Sequence, residues 1–218
     1  MKNFIKQIST ATLALAIVLV GFAYVEPNVA SAVDDEVIVN LTVTSGISIT
    51  SPADVTMSAM SVTDNVSTGW AVWNVKTNDT DGYTLEVSAS ADPAMVSGGD
   101  SFTDYTEAVA DTPETWSVAS GQYEFGFSAL GSHVENYDTD AYGATGETVC
   151  DNGVASSTLN SNLNWQGFET VDTTIAESSA PTTPDGTDTR ICFAAEQNGV
   201  YAPSGTYSAT ITATATTL

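Results

Sequence analysis

The stretch Gly205-Thr-Tyr-Ser-Ala-Thr-Ile-Thr-Ala-Thr-Ala-Thr-Thr-Leu218 decides the fold class. Tyr207, Ala209, Ile211, Ala213 and Ala215 alternate with Ser and Thr. Successive side chains of a strand point to opposite faces, so this period-2 pattern describes a strand with one face on a core and a hydroxylated face toward water. Pro203-Ser204-Gly205 supplies the turn that feeds it. Such a strand is expected to close a β-sandwich.

Working outward, the same pattern recurs along the chain. Val37, Val39, Leu41 and Val43 alternate with Ile38, Asn40, Thr42 and Thr44, which predicts a strand over 36–44, and Ile47 and Ile49 resume it after Gly46. A short strand is expected over 55–61. The runs Gly69 to Thr77 and Tyr83 to Ala89 flank Asn78-Asp-Thr-Asp-Gly82, which predicts a hairpin with Trp73 in the core. Residues 92–113 read as loop with a short helix near 106–110. Strand character returns at Trp116 to Val118, at Gln122 to Ala129, over 164–171 and at Arg190 to Ala195, while Ala176 to Thr189 reads as a surface loop.

Many short strands with almost no helix predict an all-β fold, an antiparallel immunoglobulin-like or pilin-like β-sandwich with a loop-rich insertion at 92–188. The composition agrees, because 42% hydrophobic and 9% aromatic residues are more than a disordered chain carries.

The start of the chain has a different character. Lys2 and Lys6 precede an apolar run from Ala11 to Ala23, and Ala30-Ser31-Ala32 offers a small-residue cleavage site. These features predict a signal peptide over 1–32, cut after Ala32, and one domain over 33–218. An uncleaved anchor is the alternative, but the run is short beside the ~20 residues of a membrane span. Secretion to the cell surface, with no membrane contact after signal removal, is the expectation.

Charge narrows the partners. The chain has 27 acidic and 4 basic residues, a net charge of −23. Glu26, Lys2 and Lys6 lie within 1–32, which leaves 26 acids against Lys76 and Arg190, or −24. Such a surface repels nucleic acid and anionic lipid. Other surface proteins, wall polymers or further copies of the chain are the partners expected.

Cys150 and Cys192 form an even pair in an exported chain, which predicts a disulfide; a metal site or a reactive thiol is the alternative. His133 is the only histidine, and it is expected on a solvated loop. No Gly-x-Ser-x-Gly, His-Glu-x-x-His or phosphate-loop pattern occurs, so a non-enzymatic protein is expected. No cofactor is expected, with calcium as the candidate ligand at Asn78 to Gly82, Asp138 to Asp140 or Asp185 to Asp188, where oxygen-bearing side chains cluster. The metal ligands themselves are unassigned. Trp70, Trp116, Trp165 and Tyr201 are candidates for a sugar-stacking platform.

Ile47-Ser-Ile-Thr-Ser-Pro52, the Trp73-x-Val75-x-Thr77-Asn78 to Tyr83-Thr84-Leu85 stretch, and Pro203 to Ile211 resemble the WxL-type and spore coat protein U-like families of secreted bacterial surface proteins. The resemblance implies a sandwich at the cell surface with a structural or adhesive role. Trp70-Ala-Val and Trp116-Ser-Val depart from Trp-x-Leu, so peptidoglycan attachment does not carry over. Two rival roles are a filament subunit that donates Val37 to Val43 to a neighbouring sandwich, and a carbohydrate-binding domain.

Overall fold

The structure is a computed structural model that describes residues 38–134, 150 and 159–218. The expected signal peptide and its Ala32 cleavage site, and the Asp138 to Asp140 cluster, lie outside these residues. The chain divides into two units, Met1–Thr42 and Val43–Leu218. Within the first, residues 38–42 are exposed and in no regular element. The second unit is all-β, with no helix among the described residues.

Eleven strands make up the second unit: β1 (Ile47–Thr50), β2 (Val66–Thr77), β3 (Tyr83–Ala89), β4 (Met95–Ser97), β5 (Asp100–Asp104), β6 (Glu114–Thr115), β7 (Gln122–Leu130), β8 (Asn164–Gly167), β9 (Thr173–Ser178), β10 (Thr187–Asn198) and β11 (Ile211–Thr217). The larger sheet runs β1-β2-β10-β7-β5-β4, with β8 joined to β7 and β6 to β8; the smaller runs β11-β3-β9. Trp73, Val75, Phe125, Phe127, Ile191 and Phe193 from the larger sheet share one core with Tyr83, Leu85, Val87 and Ile175 from the smaller. Burying a side chain of this size contributes roughly 1.5–3 kcal/mol, so this layer between the sheets is the main source of stability.

The closing strand alternates as its sequence demands: Ile211, Ala213 and Ala215 are half-buried and the threonines between them exposed. Its ladder to β3 pairs Ile211 with Ala89 and Thr217 with Tyr83. The regular strand begins at Ile211 rather than at Gly205, although Ser208 makes an isolated bridge to Val96.

Several expectations are corrected. The runs either side of Asn78 to Gly82 do not form a hairpin. Instead, β2 pairs with β1 and β10, while β3 pairs with β11 and β9. Both edges of each strand are taken, so the turn carries the chain from one sheet to the other. Asp79 Oδ1 accepts Asp81 N at 3.0 Å within it, and Gly82 adopts a φ of +93°, a backbone region that costs glycine little. The sheets are not wholly antiparallel, because β5 runs parallel to β7.

Residues 92–113 hold no helix; they contain the β4–β5 hairpin, closed at Gly98-Gly99 where Gly98 has a φ of +61°. Thr173 to Ser178 is strand β9 rather than the beginning of a loop, and the loop is confined to 179–186. Trp116 to Val118 and residues 55–61 lie in no strand. The latter segment runs beside β2 through Ser67, whose hydroxyl donates to the Ser58 carbonyl at 2.7 Å, and past Gly69, where a side chain would collide with Val55 and Met57.

Residues 38–44 also lie in no strand. Their alternation is right for one, but a strand needs a ladder partner, and the described part of the chain supplies none.

Cys150 and Cys192 are disulfide-bonded, with Cα atoms 5.4 Å apart. The bond joins a second cluster, Tyr105, Leu130, Leu163, Trp165 and Ala194, on the opposite face of the larger sheet.

Candidate binding groove

On one side of the molecule β1, the last strand of the larger sheet, lies against β11, the last strand of the smaller. β11 pairs with β3 along one edge and has no ladder to β1 along the other. Beside the start of β11, at Ile211 to Ala213, lies a groove of about 1310 Å³, lined among others by Ile49, Met57, Met60, Trp73, Tyr207 and Ile211. Each comes from a different part of the chain: Ile49 from β1, Trp73 from β2, the methionines from the irregular segment after β1, and Tyr207 from the approach to β11.

Three properties define the groove chemically. Among the described residues Asp54 is the only charged one that lines it, in a chain with 27 acids, so charge is kept away from this surface. Three of the four methionines, Met57, Met60 and Met95, border it. Methionine is unbranched and polarisable, and it suits a wall that must repack around an occupant. One wall is fixed by aromatic packing: Phe102 meets Tyr207 edge-on at 5.0 Å and Tyr123 edge-on at 5.3 Å, while the Tyr207 hydroxyl donates to the Pro203 carbonyl at 2.9 Å. A rigid aromatic wall beside a soft methionine wall suits a polypeptide segment whose apolar side chains fill the groove.

The four candidates for a stacking platform are divided by the structure. Trp165 is fully buried. Trp116 lies over Tyr105 at 4.5 Å, meets Trp165 edge-on at 5.4 Å and donates from Nε1 to Glu196 Oε2 at 2.6 Å, so this pair belongs to the second cluster. Trp70 is 54% exposed, but the Arg190 guanidinium sits over its ring at 4.7 Å. Tyr201 is exposed at the groove.

Two residues of the calcium candidates, Asn78 and Asp188, hydrogen-bond within the protein. Asn78 bonds the backbone at Thr44 and Gly46, and Asp188 Oδ1 accepts Asn74 Nδ2 at 2.7 Å. Among the described residues no three His, Cys, Asp or Glu side chains converge as a metal site would require. His133 is half-buried rather than a solvated loop residue: its Nδ1 lies 2.8 Å from the Tyr83 hydroxyl, and burial lowers its pKa.

Acidic groups are perturbed at the rim of the larger sheet. Burial raises Asp104 to about 6, against the opposing effect of the Ala94 amide, which donates to both of its oxygens at 3.1 and 3.0 Å. Burial and acidic neighbours likewise raise Glu107 and Glu124.

No family model, no curated protein and no solved structure matches this chain. Among the described residues no helix is long and apolar enough to cross a membrane.

Sequence reasoning missed the groove because its walls are far apart in the chain. The clustering of Met57, Met60 and Met95 was the signal available.

Proposed function

We propose that this chain is a secreted cell-surface protein with a structural or adhesive role, an immunoglobulin-like or pilin-like sandwich that works by contact rather than catalysis. The observation that carries this reading is the nearly uncharged groove beside the start of β11 in an otherwise strongly acidic protein. Methionine and aromatic side chains left open to water in such a recess cost free energy unless a partner covers them. The acids serve solubility, and the groove serves adhesion. The resemblance to WxL-type and spore coat protein U-like proteins points the same way. Its partner is another surface protein or a further copy of the chain, because polypeptide side chains suit both the aromatic and the methionine wall.

Protease treatment of intact cells tests the location. Release of fragments of this chain without cell lysis is the expected result. A chain that is protected until lysis contradicts the reading.

A further inference from the structure

The sulfur of this chain is divided between two places. Both cysteines are joined in the Cys150–Cys192 disulfide, so no thiol remains. Of the four methionines, Met1 begins the chain outside the described residues, and Met57, Met60 and Met95 all line the groove. Among the described residues none of the buried core positions is a methionine; aromatic, branched and small side chains fill it. Methionine is an adaptable filler of core gaps, so its confinement here to one surface recess is a property of the recess.

The segments that carry these methionines are held in place. Ser67 Oγ donates to the Ser58 carbonyl at 2.7 Å and Gln197 Nε2 to the Ser61 carbonyl at 2.8 Å, so the backbone is pinned one residue beyond Met57 and one beyond Met60. Met57 lies against Gly69, where an added Cβ would come within 2.9 Å of its Cγ. Met95 stands opposite Phe102 in the β4–β5 ladder, beside the ring that carries the aromatic wall. All three are half-buried, packed on the core on one side and open to small solutes on the other.

Resting on the surface-contact reading above, we infer that Met57, Met60 and Met95 form a modification site, at which hydrogen peroxide outside the cell converts the groove from apolar to polar. The sulfur lone pair takes one oxygen of the peroxide and the O–O bond breaks. The departing hydroxide collects the proton of the transferred hydroxyl and leaves as water, so sulfur is oxidised by two electrons and the peroxide is reduced. The resulting sulfoxide is polar, and an apolar occupant offers it no hydrogen-bond donor, so the occupant loses its fit. With both cysteines joined, no thiol competes for the oxidant. A methionine sulfoxide reductase reverses the step.

The test uses the exported chain and Nile red, a neutral apolar dye that the acidity of the chain does not repel. After dilute hydrogen peroxide, peptide mass spectrometry is expected to find one added oxygen on each of Met57, Met60 and Met95. Dye affinity is expected to fall about tenfold and to recover after treatment with methionine sulfoxide reductases. The variant Met57→Leu, Met60→Leu, Met95→Leu keeps the apolar volume, and it is expected to take up dye equally before and after peroxide. No dye uptake by the native chain, methionines that stay unoxidised, oxidation without a change in dye affinity, or a loss of dye that the triple variant shares overturns the inference. Binding to host cells is read separately. A chain that binds them equally before and after peroxide overturns this inference and leaves the surface-contact reading standing, whereas one that loses dye on oxidation but never binds cells overturns that reading and leaves the modification of the groove standing.

Discussion

Asn78 holds Gly46 through a hydrogen bond of 2.7 Å from the Gly46 amide to its side-chain oxygen. The same carboxamide donates to the Thr44 carbonyl, so one side chain fixes the chain on both sides of Ser45. A residue that sequence patterning assigns to a calcium loop or a hairpin turn is therefore the anchor for the segment before β1. Asn78→Ala is expected to cost about 1 kcal/mol, since both bonds are solvent-accessible. Faster amide exchange at residues 44–47 checks it; Asn78→Asp, which keeps the acceptor and loses the donor, is expected to fall between.

The disulfide is expected to be the largest single covalent contribution. Its two cysteines are 42 residues apart. In the chain-entropy model, closing a loop of that length contributes about 4 kcal/mol. Thermal unfolding of Cys150→Ser, Cys192→Ser against the native chain measures it, and a lowered midpoint is the expected outcome.

Glycine positions separate turn requirement from simple exposure. A Cβ at Gly82 drives into the Ser178 carbonyl, and the φ of +93° disfavours any L side chain, so Gly82→Ala is expected to cost roughly 3 kcal/mol. Gly99 has open space around it, and Gly99→Ala is expected to stay within about 0.5 kcal/mol. Denaturant titration of the two variants compares them directly.

Stability should rise on mild acidification. Asp104, Glu107 and Glu124 all have folded pKa values raised above the ordinary carboxylate range, first by burial. A raised carboxylate binds its proton more tightly when folded, so its favourable contribution is complete below the unfolded pKa and lost as pH rises through the folded value. For Asp104 that window runs from its ordinary value near 3.8 to about 6. The unfolding midpoint is expected to increase between pH 7 and pH 5, and Asp104→Asn is expected to flatten the increase.

Much of the fold is legible in the sequence because strand periodicity is local. The alternation of β11, the aromatic alternation of Tyr123, Phe125 and Phe127 in β7, and the core position of Trp73 follow from neighbouring residues. Pairing is not local. The turn at Asp79 to Gly82 looks the same whether β3 returns beside β2 or crosses to the other sheet; what decides is that β1 and β10 occupy the edges of β2. Strand β9 has only Ile175 and Ala176 among polar residues, too little apolar pattern to mark it. Residues 38–44 are the converse, a strong strand pattern with no partner in the described chain. Of the groove, the sequence displayed the methionines and the final strand but not their meeting.

Self-association also has an electrostatic signature. Two copies at −23 repel each other, while the groove, a candidate contact between copies, is nearly uncharged. Salt screens the repulsion, with a Debye length of about 10 Å at 0.1 M, and leaves the apolar contact intact. Light scattering is therefore expected to show larger assemblies as salt increases from about 0.01 to 0.5 M.

The most direct measurement of the groove's role is binding of the exported chain to the surface of its host cells, with and without Met57→Asp, Met60→Asp. The surface-contact account predicts that the native chain binds and that the double variant, still folded by circular dichroism, does not. Equal binding by the two contradicts it.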